Sequence, residues 1–224
     1  MALKDLYEIE LGEGEAAFVF HGYSAITLRR GDKVVMFDVA DLVEPEEVES
    51  LSALFVTHSH YDHFNEDVIV RIVGRTNAYV VAEEGAYSSL RGRVPEGRLI
   101  KAVPGAEGDA GGLIFKCVEG VHVGGIVLYQ VKVDGLYVFH GGDSGYVRLE
   151  GLKADVAFLP VGDPSPTASP ESALRMAEDL RPRVVVPIHG SLDQFSEFER
   201  IIGERIPQVK VVRPARGRVE KVEL

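Results

Sequence analysis

The stretch Thr57-His58-Ser59-His60-Tyr61-Asp62-His63 sets three imidazoles and one carboxylate within six positions, directly after the apolar run Leu51 to Val56. The run reads as a short buried strand, and Asn65-Glu66-Asp67-Val68 reads as a helix start with Asn65 as N-cap. The chain therefore turns from strand to helix through a loop loaded with metal-ligand side chains. His58 and His60 project together where strand geometry persists, whereas Asp62 and His63 fall on the turn and can face a second point. One loop can thus feed two metal ions. A single histidine would be read as an ordinary half-buried side chain; four ligand-type side chains at the end of an apolar strand are poorly explained by packing.

Cys117 is the only cysteine, which excludes an intramolecular disulfide and a cysteine-based zinc cage. Any metal must be held by His, Asp or Glu. Cys117 lies in the strand-like run Leu113 to Val118 and reads as a small buried hydrophobe.

Around this loop the chain of 224 residues is expected to form one domain, 1–224. Short β signals at Tyr7 to Leu11, Ala17 to Phe20, Ala25 to Leu28 and Val34 to Phe37 predict an antiparallel meander. Gly12-Glu13-Gly14 formally begins a dinucleotide-binding pattern, but a strand follows where a helix is required. Pro45 to Glu49 predicts a short helix. Beyond the histidine loop, helices are expected over 66–74 and Glu84 to Leu90, and strands over Ala78 to Ala82 and Arg98 to Val103. The second half predicts strands at Leu113 to Val118, Ile126 to Val133, Leu136 to Phe139, Val156 to Leu159 and Val184 to Ile188. Asp134-Gly135 marks a hairpin turn. A helix opens at Ser169-Pro170-Glu171, another spans Gln194 to Ile202, and Val209 to Val212 and Val219 to Val222 are terminal strands. Two β-rich halves, each covered by helices, predict an α/β four-layer αββα sandwich.

His58-x-His60-x-Asp62-His63 resembles the signature of the metallo-β-lactamase superfamily, whose members are mostly hydrolases with a one- or two-metal site between two β-sheets. That pattern asks for a later His, an Asp and a final His, each after a strand. His122, Asp143 and His189 fill those slots in chain order. The resemblance implies that His58, His60 and His122 form a first site and Asp62, His63 and His189 a second, with Asp143 bridging. It also implies a hydroxide shared by the metals as nucleophile, with Asp62 as the catalytic carboxylate. Imidazole and carboxylate suit two divalent ions, zinc first, with manganese or iron as alternatives. His140 lies outside the pattern and reads as a hydrogen-bond donor behind the ligands; His21, in a strand, reads as structural.

Gly141-Gly142-Asp143-Ser144-Gly145, Thr167-Ala168-Ser169-Pro170-Glu171-Ser172-Ala173 and Val186-Pro187-Ile188-His189-Gly190 are similar to the branch of ascorbate-6-phosphate lactonase-like and uncharacterised metal-dependent hydrolases. Two departures stand out. Gly22-Tyr23-Ser24 carries Tyr23 where that branch usually has His, and only Val123-Gly124-Gly125 separates His122 from the next strand.

The expected activity is metal-dependent hydrolysis of a small ester, lactone or phosphoester. Two other classes compete with this reading. Oxygen-reducing diiron relatives typically replace the second histidine of the motif by Glu and carry a flavin domain, whereas here the residue is His60. A degenerate binding module would have lost ligands, and all seven slots are occupied. A net charge of −11 argues against nucleic acid as a partner. Arg91-Gly92-Arg93 and Arg213-Pro214-Ala215-Arg216-Gly217-Arg218 read as solvated loops. No apolar run approaches membrane-span length and the N-terminus has no signal-peptide pattern, which leads us to expect a cytoplasmic protein with a small-molecule substrate. A homo-oligomer is left open. The loops at 22–24, 162–167 and 190–193 should wall the metal cleft; they contain no Arg or Lys, which favours a neutral or singly charged ester or lactone.

Overall fold

The computed structural model describes residues 2–224 and contains two seven-stranded sheets. The first sheet starts as the expected meander of β1 (Glu15–Gly22), β2 (Ala25–Arg30) and β3 (Lys33–Phe37), all antiparallel. It then becomes parallel through β4 (Ala53–Val56), β5 (Tyr79–Ala82) and β6 (Leu99–Lys101). The second sheet mirrors that plan. Antiparallel β7 (Glu107–Asp109), β8 (Ile114–Glu119), β9 (Val127–Val133) and β10 (Leu136–His140) lead into parallel β11 (Val156–Pro160), β12 (Val184–Ile188) and β13 (Lys210–Val211). The last strand, β14 (Val219–Glu223), crosses back to pair with β1 at the edge of the first sheet.

Side-chain alternation explains the layers. Phe18, Ile26, Leu28, Phe37 and Phe55 from one sheet meet Phe115, Tyr129, Val131, Val138 and Phe158 from the other in one buried core. Their neighbours point outward: Ala17, Val19, Met36, Leu54 and Val80 are covered by α1 (Ala2–Glu8) and α2 (Glu66–Thr76). Ala157, Leu159 and Val185 are covered by α4 (Pro170–Leu180) and α5 (Leu192–Arg205). A shorter helix, α3 (Glu84–Leu90), packs beside β5 and β6. Strands such as β4, β11 and β12 are buried on both faces, which is why they read as unbroken apolar runs. The αββα sandwich is thus the observed architecture.

Three local expectations need correction. Tyr7 to Leu11 is no strand: Ala2–Glu8 is helical and buries Leu3 and Leu6 against the first sheet. The three-residue spacing of those leucines outweighs the alternation of Tyr7, Ile9 and Leu11. Arg29 fixes the end of α1 by donating to the carbonyls of Tyr7 and Ile9. Pro45 to Glu47 makes only a single 3-10 turn. Edge strand β7 was not expected, because Glu107-Gly108-Asp109 has the composition of a loop. Among the described residues no helix is long and apolar enough to cross a membrane.

Candidate metal centre

Each ligand-type residue stands just beyond a strand end. His58 follows β4, Asp143 follows β10, and His189 follows β12, so the parallel halves of both sheets aim their C-terminal ends at one region. Between β4 and α2 the chain makes a tight turn, in which the His60 carbonyl accepts from the amides of His63 (3.0 Å) and Phe64 (2.9 Å). Asn65 then caps α2 as expected, its side chain accepting from the Val68 amide at 3.1 Å.

These segments bring all seven sequence-predicted residues together in two groups: His58, His60, His122 and Asp143, and Asp62, His63 and His189. Within each group one ligand atom per residue lies within 4.8 Å of the others. Asp143 spans both, with Oδ1 at 3.6 Å from His58 Nε2, and Oδ2 at 3.5 Å from both His122 Nε2 and His63 Nε2. His189 Nε2 lies 3.5 Å from Asp62 Oδ2, and His122 Nε2 faces His60 Nδ1 at 3.1 Å.

The donor set fits divalent ions for a physical reason beyond proximity. Nε2 of His58, His63 and His189 and Oδ1 of Asp143 are buried without a hydrogen-bond partner among the described residues. An unpartnered buried polar atom costs roughly 1–3 kcal/mol, and four of them aimed at one region mark a place that a cation would satisfy.

The residues behind this cluster were missed in the sequence. Asp38, fully buried just after β3, accepts from Nδ1–H of His63 at 2.9 Å and from the backbone amide of Thr57 at 2.8 Å. Thr57 donates its hydroxyl to Asp38 and lies 3.0 Å from Nδ1 of His58. One carboxylate therefore orients two imidazoles, an arrangement that leaves Nε2 of His63 free for an ion. His122 is steered similarly: its Nδ1–H donates to the Pro166 carbonyl at 2.6 Å.

His140 does lie behind the ligands, though it touches backbone instead of a ligand ring. Nδ1 accepts from the Gly142 amide at 3.2 Å and Nε2–H donates to the Ser24 carbonyl at 2.8 Å, which fixes the turn bearing Asp143. Its ring stacks on Phe37, and burial lowers its pKa. His21 is structural: it is buried against Thr27 (2.8 Å), and burial brings its pKa down to about 4.

Electrostatics divide the cluster. Burial and the neighbouring His63 push His58 down to about 4. Burial would lower His63 as well, but the Asp38 charge, the nearby Asp143 carboxylate and the hydrogen bond to Asp38 outweigh it and raise His63 to about 10. Asp62 is pulled down to about 2, chiefly by the neighbouring His189 imidazole, whose Nε2 lies 3.5 Å away, so it stands ionised at neutral pH.

The cleft beside His189 departs from expectation. It encloses about 780 Å³ and is walled by the expected loops around Tyr23, Gly162 and Ser191. A fourth segment, residues 213–216, adds Arg213 and Arg216, so the cleft has cations after all. These arginines had read as a solvated loop, because only the return of β14 to β1 brings them there.

The family model described as "Beta-lactamase superfamily domain" matches residues 17–189, a span that takes in every one of these ligand-type residues. The chain belongs to the metallo-β-lactamase superfamily. A UPF0173 metal-dependent hydrolase of Thermococcus kodakarensis is 30% identical over 230 residues, covering 94% of this chain and 97% of the relative. Another, from Bacillus licheniformis, is 32% identical over 206 residues, covering 77% and 84%. Igni18, a metallo hydrolase from Ignicoccus hospitalis, superposes with a TM-score of 0.78 at 24% identity, covering 94% of this chain and 99% of that one. Like its curated relatives, this metallo-β-lactamase-fold protein is a metal-dependent hydrolase.

Proposed function

We propose that the protein hydrolyses a small ester, a lactone or carboxylic ester in preference to a phosphodiester, at a centre of two divalent ions, zinc first among them. The convergence of unpartnered imidazole nitrogens and the Asp143 carboxylate carries this reading. His58, His60 and His122 would hold one ion and Asp62, His63 and His189 the other, with Asp143 shared. Bound there, divalent ions would supply Lewis acidity, lowering the pKa of water from 15.7 to about 7 and stabilising negative charge on the electrophile's oxygen.

The protein's own contribution is orientation and proton handling. Asp38 fixes His63 directly and His58 through Thr57, while the Pro166 carbonyl fixes His122. These contacts remove rotamer freedom from the imidazoles before any substrate arrives. Asp62, ionised and only partly buried, can accept a hydrogen bond from the attacking water and hold it against the ester carbon. Substrate enters through the cleft beside His189, where Tyr23 stands 5.8 Å from the His189 ring, centroid to centroid.

A panel of carboxylic esters, lactones and phosphodiesters, run on metal-loaded enzyme, tests the reading. Asp62→Ala should keep the fold and lose turnover by about 10²–10⁴-fold, the usual range for a positioned acid or base. Undiminished hydrolysis by that variant, with metal still bound at the His58 group, would move the chemistry elsewhere. Turnover of phosphodiesters alone would overturn the substrate class.

A further inference from the structure

The cleft beside His189 has an unusual charge balance for this chain. The protein has 35 acidic residues against 24 basic ones, yet the cleft is lined by two arginines and by no carboxylate. The two arginines differ. Arg213 is committed to α5, donating to Ser196 at 2.9 Å and to Glu199 at 2.7 Å. Arg216 makes no side-chain hydrogen bond or ion pair among the described residues, although its backbone is anchored. It bridges to Phe20 on β1, and the next amide, Gly217, donates to the Phe20 carbonyl at 2.8 Å. The guanidinium passes over Gly22, where an added Cβ would lie 3.6 Å from Nε. Glycine accommodates the local φ of +127°, which other residues rarely adopt.

We infer that Arg216 is the substrate-anchoring residue of the cleft, binding an oxyanion group, carboxylate or phosphate, at the end of the substrate away from the ester. The apolar body between the two ends would lie on Phe20, Leu192, Phe195 and Pro214. This assignment rests on the hydrolase reading for the position of the ester, and it adds the class of substrate. A planar guanidinium offers two parallel donors to either oxyanion, and it faces no competing acid in the cleft. The substrate would be an ester with one free anionic group on an apolar frame.

Calorimetric titration of the metal-loaded full-length protein with phenylphosphonate, phenylacetate and the neutral phenylacetamide separates these contributions. Wild type should bind the better of the two anions at least about tenfold more tightly than the amide, and the stronger one identifies the oxyanion. Arg216→Gln should lose roughly 10- to 100-fold for that anion, the usual worth of a charge-assisted hydrogen bond. It should leave phenylacetamide binding and thermal stability unchanged, because the side chain holds nothing else. Arg216→Lys should recover part of the loss, and Arg213→Gln should change anion binding less than about twofold. Equal binding of anions and amide by wild type would overturn the assignment, as would anion binding within twofold of wild type in Arg216→Gln. The readout is binding, so absent ester turnover with intact Arg216-dependent binding would overturn only the ester-hydrolysis reading.

Discussion

Asp38 decides which nitrogen of His63 faces the centre. Its Oδ1 accepts from the Thr57 amide and its Oδ2 from Nδ1–H of His63, so the imidazole proton is held on the outer nitrogen. In Asp38→Asn the amide oxygen should keep the Thr57 contact, and the NH₂ group should then face Nδ1. His63 would have to accept there and carry its proton on Nε2, the atom aimed at the metal. Asn tolerates the positive φ of 51° at this position, so the backbone should survive. We expect metal affinity to fall about 10- to 100-fold, as for other partners behind a ligand; competition with a chromogenic chelator measures it, and an unchanged affinity would deny Asp38 this role. His58, His60, Asp62 and His63 were legible in the sequence because histidine and aspartate in a tight motif are chemically unusual, whereas His122, Asp143 and His189 were legible only through the order of ligands that the family resemblance implies. Asp38 and Thr57 were not, since an Asp at a strand end and a Thr before the motif acquire meaning only from what they touch.

At the scale of elements, the turns after strands set the geometry. Gly162, just beyond β11, packs so closely on the β12–α5 turn that an added Cβ would lie 2.1 Å from the His189 carbonyl oxygen. Gly162→Ala must therefore displace the backbone of His189. Overpacking of this kind costs typically about 1–3 kcal/mol, and urea unfolding should show a loss in that range together with weaker metal binding at the group of Asp62, His63 and His189. Stability and affinity equal to wild type would mean that the turn yields without consequence. Most strands and helices were legible from their apolar runs and from caps such as Asn65 and Ser169. Failures came where local signals were ambiguous or missing. A seven-residue helix at the N-terminus buries only two leucines, and β7 has a loop's composition and is identified by its pairing with β8 alone.

At the scale of the whole molecule, two β-rich halves present the ends of their parallel strands to one site, and β14 ties the second half to the first sheet. The sandwich could be anticipated from the succession of elements. The position of residues 213–216 could not, because it depends on a long-range crossover that places a loop far along the chain beside Phe20 and Gly22. The same closure turns a cleft whose three loops carry no Arg or Lys into one with a free arginine. The fold gathers seven ligand-type side chains where they can hold metal. Elemental analysis of the protein purified without chelator and dialysed against zinc or manganese, paired with a crystal structure of that sample, tests it most directly. About two divalent ions per chain are expected, one among His58, His60 and His122 and one among Asp62, His63 and His189, with Asp143 touching both. Protein that takes up no ion under these conditions, with His122 and His189 turned away from Asp143, would contradict it.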